Sequence, residues 1–150
     1  MAMFHSLNIS SSALTAQRLR MDVISSNMAN VDTTRGKLVN GQWEPYKRKM
    51  VVMQPQETSF ASILDKTVKS NGKMPGGVKV TRIIEDQTPY RAIFDPDHPD
   101  ADENGYVYYP NVDPLREMAD LISTTRSYEA NVTVLNATKG MLMKALEIGK

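Results

Sequence analysis

The chain has no cysteine. That excludes disulfides, thiolate metal sites and cysteine nucleophiles, but it leaves the compartment open, because exported and cytosolic proteins alike can do without the residue. Long apolar runs are also missing: no stretch approaches the roughly 18 residues that a membrane-spanning helix needs, so membrane insertion is not expected. The opening residues, Met1 to Leu7, lack the apolar core behind positive charges that marks a cleaved secretory signal. Any export is therefore expected to use a route without such a signal. Charge of one sign is scarce as well. The net charge is +1, and residues 36–114 hold ten basic and eleven acidic side chains. No basic stripe exists to track a phosphate backbone, so nucleic acid is not an expected partner. Gly-x-Ser-x-Gly, a phosphate-cradling glycine loop and His-Glu-x-x-His are all absent, and the two histidines, His5 and His98, lie far apart. The expectation is a protein that is not an enzyme, with no catalytic residue, no cofactor and no metal.

Proline is present but confined. All eight prolines fall between Pro45 and Pro114, which leaves both ends free to form uninterrupted helices. From Leu115 to Lys150 an apolar seam runs at alternating spacings of three and four: Met118, Leu121, Thr125, Tyr128, Val132, Leu135, Lys139, Leu142 and Leu146. That is the period of a helix packed lengthwise on other helices. Asp113 supplies an N-cap and Pro114 a first-turn proline. At 1.5 Å per residue the helix is about 50 Å long, more than a globule of this size covers comfortably. Near the N-terminus, Leu7, Leu14, Met21, Ile24, Met28 and Val31 make a matching row, read as a helix from Ser6 to Asn30 and a turn through Asn30 to Gly36. These fifteen side chains are the candidate subunit-assembly residues. Tyr128 and Lys139 are polar intrusions: either they fix register, or their heads reach solvent while their stems cover the partner.

The fold class follows as α+β, with long N- and C-terminal helices pairing as a coiled-coil-like hairpin and a small β-rich middle region inserted between them. Its parts are 1–35, an N-terminal axial helix and turn; 36–113, a β-rich middle with loops; and 114–150, a long C-terminal axial helix. Periodicity alone equally allows an ordinary helical core with a β excursion; the length of the second helix favours assembly. Within the middle, Tyr46 to Met53 reads as a strand, and Phe60, Ile63 and Leu64 have helical spacing. Ser70 to Gly77 reads as a loop, and the runs around Val78–Ile84 and Tyr90–Phe94 read as a hairpin turning at Asp86-Gln87-Thr88-Pro89. Gly105 to Tyr109 adds a further strand.

The acidic run from Asp95 to Gly105 is the one stretch whose composition suits a cation. Asp100-x-Asp102-x-Asn104-Gly105 repeats the opening of an EF-hand loop, but Asn111 stands where its bidentate Glu belongs, and Pro99 and Pro110 deny the flanking helices. A solvated turn with side-chain-to-backbone hydrogen bonds is the plainer reading.

The run SALTAQRLRMDVISSNMANVDT, from Ser12 to Thr33, resembles the N-terminal signature of the flagellar rod and hook axial proteins. Arg126-Ser127-Tyr128-Glu129-Ala130-Asn131, followed by Val134-Leu135-Asn136, is similar to the C-terminal signature of the same family. Asp95 to Ala101, with Gly105-Tyr106-Val107 and Pro110-Asn111-Val112, is similar to its short, proximal-rod branch. The resemblance implies a structural subunit of the bacterial flagellar basal body, exported by the flagellum's own type III apparatus. Its terminal helices would pack with other proximal and distal rod subunits and with copies of itself into an axial drive shaft that transmits torque. The alternative of another class is a free-standing homo-oligomeric coiled-coil adaptor with no flagellar role.

Overall fold

The computed structural model describes residues 2–56 and 76–148, with side chains from His5 onward. Two helices flank a β-rich middle: α1, Ala2–Ala29, and α2, Pro114–Ile148. Between them lie strands β1, Lys37–Val39; β2, Gln42–Glu44; β3, Lys49–Pro55; β4, Val78–Glu85; β5, Arg91–Phe94; and β6, Tyr106–Tyr109. The α+β class with helical ends is therefore observed. The expected seam residue Val31 lies just past the end of α1. The Asp113 cap forms as expected: its carboxylate accepts the Leu115 N–H at 3.0 Å, and its carbonyl accepts that of Glu117 at 3.0 Å.

The strands pair as three two-stranded sheets, β1–β2, β3–β4 and β5–β6. This corrects the expected hairpin between the Val78–Ile84 and Tyr90–Phe94 runs. The segment 86–90 makes no hairpin ladder because its polar groups are engaged elsewhere. The Asp86 N–H goes to the Arg48 carbonyl at 2.8 Å, and Asn111 donates its amide to the carbonyls of Asp86 and Thr88. The hairpin that does form is β5–β6, pairing Arg91 with Tyr109 through Phe94 with Tyr106, and the acidic run is its loop. The strand expected from Tyr46 begins at Lys49, since Tyr46 is drawn aside by an N–H bond to the Thr33 carbonyl. The expected helical turn at 60–64 and most of the 70–77 loop lie outside the described residues.

The β1–β2 hairpin was not anticipated. Its signal is Asn40-Gly41, both with positive φ (52° and 84°), between two three-residue strands. This is the dipeptide that tight two-residue hairpin turns demand. Leu38 and Trp43 sit directly opposite each other on it.

The chain divides into two compact units. The first comprises 1–19, 52–82 and 124–150; the second comprises 20–51 and 83–123. In the first, Ser10, Ala16 and Thr138 are buried, and the Ser12 hydroxyl accepts the Val78 N–H at 3.1 Å. In the second, Val23, Ile24, Val107 and Val112 make the apolar core, with Val107 fully buried opposite Ile93. Gly36 closes this unit tightly. Its N–H bonds the Glu44 carbonyl at 2.8 Å, and a Cβ there would lie 2.6 Å from the Tyr46 nitrogen. Backbone cannot yield as a side chain does. Gly36→Ala is expected to cost about 1–3 kcal/mol in urea unfolding, whereas an alanine at Gly140, which meets nothing within 4 Å, should not destabilise.

Candidate functional site

Three elements of the second unit converge on one side chain. Asn27, in the last turns of α1, is 1% exposed. Its Oδ1 accepts the Lys49 N–H at 2.9 Å and the Tyr46 hydroxyl at 3.0 Å. Its Nδ2 donates to the Lys49 carbonyl at 2.9 Å and to Glu117 Oε2 at 3.1 Å. Two donors and two lone pairs are thus all used. The amide grips the first residue of β3 as a neighbouring strand would, and at the same time reaches α2.

Glu117 is fully buried on α2, and its other oxygen accepts Arg48 Nε at 2.6 Å. Arg48 is itself buried and also faces Asp86 and Asp120, each at 3.6 Å. Asp120 continues to Arg20 at 3.7 Å, where the network reaches partly exposed side chains. The contacts Asn27–Glu117 and Arg20–Asp120 join α1 to α2 in opposite chain directions. Desolvating such charges is costly unless every member is paired, and here the buried ones are.

A second set of contacts fixes the acidic loop. Thr34 donates its hydroxyl to Asp100 at 2.8 Å, and the Arg35 guanidinium bonds the same carboxylate, with Nε at 2.7 Å. The Asp100 N–H in turn bonds His98 Nδ1 at 3.0 Å. Its carboxylate is thus engaged by a guanidinium; among the described residues no group of three or more acidic or histidine side chains could hold a metal. The Arg35 hydrogen bond, then that of Thr34, holds the Asp100 carboxyl below its ordinary range. The Thr88 hydroxyl and N–H, with Arg48 behind, do the same for Asp86.

The fifteen expected assembly residues distribute unevenly. Ile24 is buried; Leu7, Leu14, Met21, Met28, Val31, Leu121, Thr125, Tyr128, Val132, Leu135 and Leu142 are half-buried; Met118, Lys139 and Leu146 are exposed. The most covered positions of α2 include Glu117, Thr124 and Thr138. With Leu121, Tyr128, Asn131, Leu135 and Leu142 they form a row at spacings of three and four. Alternate members of the covered row thus lie one residue before Met118, Thr125, Val132 and Lys139, and they are polar. An apolar-only scan passes over Glu117, Thr124, Asn131 and Thr138 for that reason. It misses Asn27 and Arg48 likewise, because burial of polar side chains is decided by partners distant in sequence.

The family described as "Flagella basal body rod protein" matches residues 7–36, and that described as "Flagellar basal body rod FlgEFG protein C-terminal" matches 103–148. Over 150 residues the chain is 63% identical to the flagellar basal-body rod protein FlgC of Bacillus subtilis strain 168, with both chains covered in full. The chain belongs to the FlgC family. It is also 41% identical to FlgC of Salmonella typhimurium strain LT2, again over the full length of both. FlgC of Borreliella burgdorferi strain B31 is 42% identical, covering 99% of this chain and 98% of the relative. This is a family of structural rod proteins of the flagellar basal body. In this FlgC-family chain, Asn27 lies in the first matched segment, Glu117 in the second, and Arg48 between them.

Two predictions follow from the geometry. Glu117→Ala, which strands a buried guanidinium, should cost about 3–5 kcal/mol in denaturant unfolding, while Arg20→Ala at the exposed end should cost under about 1 kcal/mol. The carboxyls of Asp86 and Asp100 have lowered folded-state pKa values. Their contribution is therefore fully present above the ordinary carboxylate range and is lost as pH falls through and below it. Melting temperature should drop between pH 6 and 3 by less in Asp86→Asn and Asp100→Asn than in the parent, as scanning calorimetry would record.

Proposed function

We propose that this chain builds the proximal part of the basal-body rod through its two terminal helices, forming an axial shaft that transmits torque. The chain is a structural rod subunit located in the flagellar basal body, and it associates with other rod components. The finer reading names copies of itself and both proximal and distal rod proteins as neighbours, and the type III apparatus as its export route. Catalysis has no place in this reading.

The observation that carries the reading is the outward side of α2. Leu115, Ile122, Val134, Met141, Met143, Leu146 and Ile148 are between 51% and 85% exposed. A helix with apolar residues on the side away from its own chain is suited to being enclosed by neighbours. The expected seam residues divide accordingly: half-buried Leu121, Tyr128 and Leu135 serve the chain itself, and exposed Met118 and Leu146 serve the next subunit. The partition into 1–35, 36–113 and 114–150 is, on this reading, a division of labour between axial helices and a decorating middle. Uncovered apolar faces favour helix ends that become ordered on docking, which keeps the chain exportable. Nothing in the family membership supports the free-standing coiled-coil adaptor.

Leu146→Asp and Met118→Asp test the reading without unfolding the chain. Stability should change by less than about 0.5 kcal/mol, as for exposed substitutions generally. Incorporation into isolated basal bodies, read by immunoblot, should fall and motility with it. Normal swimming by the double variant would refute the assembly role of the seam.

A further inference from the structure

In the second unit the outward face of β5–β6 carries Ala92, Phe94, Tyr106 and Tyr108, since Ala92 pairs with Tyr108 and Phe94 with Tyr106. Phe94 is 63%, Tyr108 45% and Tyr106 43% exposed. Phe94 and Tyr106 meet edge to face at 5.4 Å. A cleft of about 490 Å³ lies between this hairpin and β1–β2, and Tyr108 and Trp43 both line it. Trp43, the single tryptophan of the chain, is 56% exposed beside Leu38 at 55%. The two hairpins are held together by the Thr34 and Arg35 bonds to Asp100 and by Tyr90 donating to the Pro45 carbonyl. The patch is therefore preorganised, aromatic and uncovered. Tryptophan and tyrosine are the residues on which interface energy concentrates, and exposed apolar patches of this kind mark interaction sites.

We propose that this aromatic face docks on the first turns of α2 in a second copy of the chain, a head-to-tail contact that rests on the rod reading above. Charge and chemistry select that occupant. The hairpin loop rims the patch with exposed Asp97, Asp102 and Glu103. The start of α2 offers the complement: Leu115, Met118 and Ile122 are 77%, 47% and 61% exposed, with exposed Arg116 beside them and Arg126 one turn beyond Ile122. Donor face and acceptor stripe are different surfaces of one chain. The contact is therefore heterologous, and repetition gives an open helical array rather than a closed dimer. It works through the middle of the chain, in addition to the terminal seams.

The absence of native cysteine permits a direct test. Ala92→Cys lies in the patch and Ala119→Cys on the stripe; both positions are exposed. Each variant, their mixture and the double variant are expressed in flagellated cells in place of the parent chain, and isolated basal bodies are mildly oxidised. The proposal expects mixed disulfide dimers from the co-expressed single variants, few from either alone, and a ladder from the double variant. Asp102→Arg should reduce the mixed dimer and Arg116→Asp combined with it should restore the product. Variants present in basal bodies that give no mixed dimer, or dimers equally from each variant alone, would overturn the contact. Parent chain missing from basal bodies would instead overturn the rod reading on which it rests.

Discussion

The second unit depends on one saturated amide. Asn27 satisfies both backbone groups of Lys49, the Tyr46 hydroxyl and one Glu117 oxygen. Moving any of α1, β3 or α2 leaves at least one buried polar group without a partner, at a cost of about 1–3 kcal/mol each. Arg48 extends the requirement, because its guanidinium joins Glu117 to Asp86 and its backbone carbonyl takes the Asp86 N–H. The end of one helix, the beginning of the other and the strand after the first turn are thereby made to fit simultaneously. Nonspecific apolar burial would tolerate a sliding register; a network in which every donor has a named acceptor does not.

With its entry fixed in this way, α2 divides its faces unusually. The covered row alternates Leu121, Tyr128, Leu135 and Leu142 with Glu117, Thr124, Asn131 and Thr138. Asn131 and Thr138 bond carbonyls of their own helix, at Ser127 and Val134. They therefore need no polar partner across an interface. Meanwhile methionine, leucine and isoleucine side chains occupy exposed positions. A solitary soluble helix would reverse that arrangement. The pattern suits an element that belongs to a larger bundle than one chain supplies.

Much of this was legible in the sequence. The long proline-free ends, the Asp113-Pro114 start and the acidic loop follow from local chemistry, and the family was readable from its terminal signatures. What was not legible depends on distant partners. Asp86-Gln87-Thr88-Pro89 looks like a hairpin turn until Arg48 and Asn111 claim its backbone. Tyr46 looks like the start of a strand until Asn27 claims its hydroxyl. The polar half of the covered row escapes an apolar period search by definition. The Asn40-Gly41 turn is different: its signal was local and sufficient, and it went unread because the flanking strands are only three residues each.

The central claim is that the outward face of α2 is covered by neighbouring subunits and not by its own chain. Amide hydrogen exchange over residues 115–148, measured in the isolated chain and in purified basal bodies, tests it most directly. The account predicts rapid exchange along this segment in isolation and strong protection in the assembly, extending through Leu146. Equal protection in both states would contradict it, since the helix would then owe nothing to its neighbours.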